Sequence, residues 1–479
     1  MVTLILAQVF FTGSTDIQYW KWRSSDDERL QSIFDAALYL ESWEVGGKFL
    51  YLQPNRPNFP RYEDLTQRYA AYNSDAISAR GGSYYASFGR GLVLASVRDD
   101  QLMLDRWLEG GDVRARLGPF EGEFLSGTKR EIYYYDFKKD QEHTLRAGRL
   151  SFVGLPHLNL TGVYARVNWP QYDSTYKQEF ISGSAELASS LVSVYGELVR
   201  REGLYMPYYY AGDSTPDSTT TSYYAAVSLG LPRFNILLES KDYNLLGNGF
   251  NNPPPINHYG VYLTDSIDEA GHGITLNANP IEGLTLTGHR SLSERSIGSQ
   301  RVEENYFLAS YRRTGLFRAT AKLDHILVNG VLREIYNDSL EALVTKRAEM
   351  TPGAEAVLYF MGKGSLTLSY DHRIRRDIYP YYADTVELID TLDYFDGKLK
   401  LGVGWGPWGS LWFGRTERRE TGGERLGVWQ SVELSVHLNE RLDAMVFYGS
   451  QPAGVICSGG ICRTEPEFEG IKLWLTGRF

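Results

Sequence analysis

Between Gly397 and the C-terminus, apolar and polar residues exchange places with a period of two, the spacing at which a β-strand shows successive side chains to opposite faces. Gly397–Gly406 (GKLKLGVGWG) sets Leu399, Leu401, Val403 and Trp405 on one face. Pro407-Trp408 reads as a tight turn, Leu411–Glu417 as the returning strand, and RRETGGER (Arg418–Arg425) as a charged loop. Gly427–Leu438 then sets Val432, Leu434, Val436 and Leu438 against Ser431, Glu433, Ser435 and His437. After a turn at Asn439-Glu440, Leu442, Ala444, Val446 and Tyr448 line one face of the next strand, and Gln451–Glu467 is a long loop. The last strand places Ile471, Leu473, Leu475, Gly477 and Phe479 opposite Lys472, Trp474, Thr476 and Arg478.

Upstream, the same alternation predicts strands at Leu30–Ser42, Val45–Leu52, Val113–Leu117, Leu158–Trp169, Tyr176–Leu187, Leu191–Arg201, Thr220–Leu229, Phe234–Tyr243 and Gly273–Ala278. It continues at Leu284–Leu292, Glu304–Arg313, Phe317–His325, Ser339–Lys346 and Leu366–Arg373. Segments rich in Pro, Gly, Asn and Asp separate them, among them QPNRPNFPRYED (Gln53–Asp64), GDSTPDS (Gly212–Ser218) and NLLGNGFNNPPPIN (Asn244–Asn257). Short and long connections take turns, as they do in an outer-membrane barrel with tight periplasmic turns and longer outer loops. Between Val328 and Asp390 that rhythm fades. The reading is all-β: one large transmembrane antiparallel up-and-down barrel over 12–479, of about 24 strands (about 22 to 26) at about 20 residues per strand and connection.

Composition sharpens this reading. With 34 Tyr, 21 Phe, 10 Trp and 48 Gly in 479 residues, the chain is supplied for aromatic girdles and curved strands. The mean hydropathy of -0.33 and the lack of an apolar run of about 18 residues exclude helical spans, but leave a barrel open because only alternate residues meet lipid. A net charge of -10 argues against nucleic acid as the partner. Met1–Phe11 (MVTLILAQVFF) reads either as a signal-peptide remnant or as the start of a first strand, since it lacks a basic beginning.

Alternation also identifies inward charges. If Val113, Ala115 and Leu117 face lipid, Arg114 and Arg116 face the lumen. By the same logic Arg318, Lys322 and Asp324, then Lys398, Lys400, Glu433, His437 and Lys472, are inward. One stretch stands apart, RGGSYYASFGRGLVLASVRDDQLMLDRW (Arg80–Trp107), whose tail DDQLMLDRWLEGG is the most helix-like or irregular in the chain. Its Phe88-Gly89-Arg90-Gly91 reads as a kink or bulge in the wall. Alternatively 86–111 folds inward and presents Arg90, Arg98, Asp99, Asp100, Asp105 and Arg106 as a constriction, the device by which pores sort ions. Cys457 and Cys462 in ICSGGIC lack the partners of a structural zinc site and suit a local disulfide. No P-loop, HExxH or G-x-S-x-G occurs, and no catalytic residue, metal or cofactor is expected.

The terminal FEGIKLWLTGRF resembles the C-terminal insertion signal of bacterial outer-membrane barrels. Together with PAGVICSGGICRTEPE before it and SYYASFGRGLVL, it resembles a family of uncharacterised outer-membrane barrels. The resemblance implies recognition of Phe479 by the barrel assembly machinery and residence among outer-membrane lipids. The function expected is a channel or transporter for a polar solute. The alternative is a structural or interaction barrel with a filled lumen, whose loops bind a surface partner; a membrane-embedded hydrolase would need a Ser/His/Asp cluster the sequence does not offer.

Overall fold

A computed structural model of the chain describes residues 9–23, 27–53, 61–96, 98–99, 104–133, 143–171, 174–203, 219–244, 250–258, 268–294, 301–336, 340–360, 364–383, 386–420, 425–458, 461–465 and 467–479. Its wall is a closed antiparallel barrel of 24 strands. The first twelve are β1 (Val9–Trp22), β2 (Glu28–Leu40), β3 (Trp43–Gln53), β4 (Tyr62–Asn73), β5 (Ile77–Tyr84), β6 (Leu104–Leu117), β7 (Phe120–Tyr133), β8 (Thr144–Leu155), β9 (Leu158–Gln171), β10 (Ser174–Ala188), β11 (Val192–Gly203) and β12 (Thr220–Leu231). The rest are β13 (Phe234–Asn244), β14 (Asp268–Ala278), β15 (Leu284–Glu294), β16 (Arg301–Arg313), β17 (Phe317–Tyr336), β18 (Leu340–Phe360), β19 (Gly364–Ala383), β20 (Val386–Gly404), β21 (Gly409–Glu420), β22 (Arg425–Asn439), β23 (Leu442–Gln451) and β24 (Phe468–Arg478). Each pairs with its chain neighbours, and β24 pairs with β1 from Ser14↔Arg478 to Trp22↔Gly470, which closes the cylinder. Closure leaves no edge, the condition for a sheet to stand in hydrocarbon.

The two faces are sorted by polarity in the sense opposite to a soluble barrel. Register partners Leu368, Leu401, Phe413, Val432, Tyr448 and Ile471 form one outward row across β19–β24, and the large side chains in it are exposed. Lys472, one residue from Ile471, is 3% exposed and lies inside, with its ammonium over the Trp20, Phe447 and Phe468 rings. Short turns such as Glu41-Ser42, Gly118-Pro119, Pro156-His157, Pro232-Arg233 and Glu440-Arg441 gather at the rim where β24 ends. Strands β5, β11, β13 and β23 all end at the other rim.

At the short-turn rim, Phe479 exchanges backbone hydrogen bonds with Gly13, its N–H reaching the Gly13 carbonyl at 2.9 Å and its carbonyl accepting from the Gly13 N–H at 2.8 Å. Its ring lies 5.7 Å from that of Phe11 and 5.6 Å from that of Phe34. A Cβ on Gly13 would meet the same ring at 2.4 Å, so glycine there makes room for the terminal aromatic. With two ring pairs at about 0.5–1.5 kcal/mol each, Phe479→Ala is expected to lower barrel stability by about 1–3 kcal/mol, read from urea unfolding of the liposome-folded protein.

Some expectations change. The tail of 86–111 is not helix-like: Leu104–Gly111 belong to wall strand β6, paired with β7 from Leu104↔Tyr133 and with β5 at Leu108↔Tyr84. Pairing on both sides overrides local propensity there. Gly110 sits so close to β7 that a Cβ would lie 2.0 Å from the Ser126 carbonyl oxygen. Alternation does not mark strands β1, β4, β5, β7 and β8, and Val9–Phe11 belong to β1. Among the described residues the one helical element is a 3-10 turn, Gly406–Trp408, where the Pro407-Trp408 turn was expected.

Candidate functional site

After Tyr84 the chain leaves the wall, and the departure is built into Gly82. Its φ is +100°, and a Cβ would lie 2.1 Å from the Arg68 carbonyl oxygen, so only glycine fits. The next residues make a small hairpin in which Ser87-Phe88 pair with Leu94-Ala95. Gly89 and Gly91 turn it at φ +60° and +84°, and the Gly91 N–H returns to the Phe88 carbonyl at 3.1 Å. Phe88-Gly89-Arg90-Gly91 is therefore a hairpin turn and not a kink in the wall.

The hairpin packs on the polar side of the sheet. In β7, Phe124 is outward and exposed while Leu125 is buried; in β9, Tyr164 is outward while Val163, Ala165 and Val167 are buried. Phe88, Leu92, Val93 and Leu94 share one buried cluster with these inner residues. The inner face of β7–β10, where water would be expected, is locally apolar. Glu197 of β11 fixes the tip: one oxygen accepts the Arg90 backbone N–H at 3.0 Å and the Tyr195 hydroxyl at 2.6 Å, the other the Ser182 hydroxyl at 3.0 Å. The Arg90 guanidinium lies over the Tyr195 ring at 4.8 Å.

A second segment, 250–258, locks onto the first. The Ala95 N–H reaches the Phe250 carbonyl at 2.7 Å, the Asn252 N–H the Gly91 carbonyl at 2.9 Å, and the Asn251 side-chain amide the Leu92 carbonyl at 3.1 Å. The Tyr243 hydroxyl donates to the Pro254 carbonyl at 2.9 Å. At its end the His258 N–H donates to Glu304 at 2.7 Å and the imidazole stacks on Tyr306 at 3.6 Å, where burial holds the ring below its usual pKa. Phe250 and Ile256 join the cluster that holds Phe88.

The other charges singled out from the sequence do not gather around Arg90. Arg98 donates to Asp35 of β2 at 3.1 Å. Asp105 is buried, ion-paired with Lys48, and accepts from Gln67 at 3.0 Å and Tyr85 at 2.7 Å; burial and that carboxylate push the Tyr85 phenol up. Arg106 pairs with Glu131 at 2.8 Å, Arg114 with Glu123 at 3.1 Å, and Arg116 with Glu121. The side chain of Asp99 and all of Asp100 lie outside the described residues. Cys457 and Cys462 are register partners in a two-stranded ribbon, Gly454–Ser458 with Ile461–Glu465, but the disulfide falls on side chains outside the described residues. Among the described residues no group of three or more metal-ligating side chains occurs.

Sequence reasoning missed Tyr195, Glu197, Ser182 and the whole of 250–258. The available signal was the inner face of β8–β10, where Leu145, Ala147, Val163, Ala165, Val167 and Phe180 are apolar on the side that elsewhere carries charge.

Residues 15–142 and 431–479 match a family described as a family of unknown function (DUF6029). These stretches adjoin in space, since β24 pairs with β1. No curated protein matches the chain. Among solved structures it is similar to the siderophore receptor PirA from Pseudomonas aeruginosa, with 11% identity over 98% of this chain and 80% of that one and a TM-score of 0.47. It is similar to the copper transporter OprC, at 11% identity, 99% and 81% coverage and a TM-score of 0.47. It is also similar to OccK5 (OpdH) from Pseudomonas aeruginosa, at 11% identity, 72% and 98% coverage and a TM-score of 0.43.

Proposed function

We infer that the chain is an outer-membrane channel or transporter for a polar solute, its bore narrowed by the hairpin around Arg90 and by 250–258. One observation carries this reading: a closed wall with an apolar exterior whose interior is packed solid along one arc and lined by exposed charge along another. On the arc near β11–β14 the ion pair Lys241–Glu269 is fully buried, whereas on β17–β19 Lys322 and Asp371 keep 38% and 34% of their side chains exposed. A lumen built only as a core would have no use for exposed ammonium and carboxylate groups on its inner wall. In this reading the rim of short turns is periplasmic, Phe479 is the feature met by the barrel assembly machinery, and the lipids of the outer membrane cover the outer face.

Purified protein in planar bilayers is expected to give discrete ohmic conductance steps, and proteoliposomes to swell in small polar solutes. A folded barrel that passes neither ions nor solutes would overturn the reading. The filled arc favours a second reading, an interaction barrel that engages a surface partner through its long connections; a silent barrel that co-purifies with a stoichiometric partner would support it.

A further inference from the structure

The inner face of β17–β20 carries a row of register partners that crosses four strands: Lys322 on β17, Gly353 on β18, Asp371 on β19 and Lys398 on β20. Lys400 follows two residues along β20, on the same face, since Leu399 and Leu401 are the outward residues. Lys322 bridges to Asp371 at 2.8 Å although a strand separates them. Gly353 makes that crossing feasible: a Cβ there would meet the Asp371 carboxylate at 2.2 Å and the Lys322 chain at 2.4 Å. Asp371 thus pairs with Lys322, while Lys398 lies beside it in the row and Lys400 two residues further on. Among the described residues no carboxylate lies within ion-pair distance of Lys398 or Lys400, and both side chains are exposed.

Charges in adjoining rows are turned to one another. Asp396 is held by Arg373 and Arg418, Asp377 by Arg347 and Arg375, and Glu355 by Arg318. Glu349 lies close enough to Arg373 and Arg347 to offset part of the basic excess in the first two groups. On this part of the inner wall the arginines are thus turned to carboxylates, whereas the exposed ammonium groups of Lys398 and Lys400 are not. Lysine suits such a place, because a compact hydrated ammonium on a flexible stem binds an oxyanion without trapping it in a bidentate fork. Conduction needs attraction strong enough for entry and weak enough for release.

We propose that Lys322, Lys398 and Lys400, held in register by Asp371 and Gly353, form an anion-selecting site in the lumen, and that the solute carries a carboxylate or phosphate group. This rests on the channel reading above and names the class of solute.

The test is the reversal potential in planar bilayers under a potassium chloride gradient, with inorganic phosphate and acetate as the permeating anions in further runs. Wild-type protein is expected to prefer anions. Lys398→Gln with Lys400→Gln should lower the anion-to-cation permeability ratio several-fold, and Asp371→Asn should raise it, opposite signs that a general folding defect would not produce. A conducting wild type that prefers cations, or variants with unchanged ratios, would overturn the site and leave the channel intact. An absence of conductance in folded wild type would overturn the channel reading, and the site with it.

Discussion

Leu401→Arg is expected to cost about 2–4 kcal/mol of barrel stability and to leave most of the protein unfolded on sodium dodecyl sulfate gels run without boiling. Leu401 is 40% exposed on the outer face and stands between Leu368 and Phe413 in an apolar row that continues to Ile471. A guanidinium there would have to shed water at mid-membrane or drag water and headgroups toward it. The matched control is Ser435→Arg on the inner face of β22, whose outward neighbours are Leu434 and Val436. That arginine would enter a face already carrying Glu433 and His437, and its effect should stay within about 0.5 kcal/mol, the scale of a substitution at a hydrated surface. Equal effects at the two positions, measured by urea titration of protein folded into liposomes, would mean that hydrocarbon does not cover the Leu401 face.

That contrast also explains which parts of the fold were legible. Strands β20–β24 read cleanly because one face is uniformly apolar and the other polar, so the phase of each strand is fixed by where its charges can go. Strand β4, YEDLTQRYAAYN, is polar on both faces for half its length. Strand β7 has Gly122 and Gly127 on opposite faces, and β8 is apolar inside as well as out; in both, the alternation is flattened. Between Val328 and Asp390 the rhythm of connections faded for another reason. Strands β17–β20 run to 20, 21, 20 and 19 residues, about twice the roughly 10 needed to cross a bilayer, so their connections do not fall where an average repeat places them. The total of about 24 survived because membrane thickness, and not local pattern, sets the average repeat.

The interior was far less readable. Hairpin formation at Phe88–Leu94 is local, and the glycines signal a turn, but they do not say whether it sits in the wall or leaves it. What decides is contact with partners distant in sequence: Arg90 with Glu197, separated by 107 positions, and Asn251 with Leu92, separated by 159. Strand alternation carries no information about such pairings. The charges near Arg90 in sequence were grouped by proximity along the chain, while the barrel disperses them to β2, β3 and β7, each with its own counter-charge.

Glu197→Ala is expected to release the hairpin while the wall stays folded. Glu197 is 3% exposed and accepts three donors, the Arg90 N–H and the hydroxyls of Tyr195 and Ser182. Removing the acceptor leaves these donors in a buried place, at about 1–3 kcal/mol for each that finds no substitute. A local loss of about 3 kcal/mol raises the open population of the hairpin by on the order of a hundredfold. The surrounding strands lose none of their ladder bonds, so heat-modified mobility should match wild type. Amide hydrogen exchange in 86–96 should accelerate by that factor, with a smaller gain in 250–258, which keeps its contacts to Tyr243 and Glu304. Glu197→Gln should have the lesser effect, because an amide oxygen still accepts one or two of the three hydrogen bonds. If the hairpin narrows the bore, single-channel traces of Glu197→Ala should show larger and noisier openings than those of Glu197→Gln. Unchanged exchange in 86–96 would mean that apolar packing of Phe88, Leu92 and Leu94 alone holds the segment, and would shift the search for its latch to Asn251.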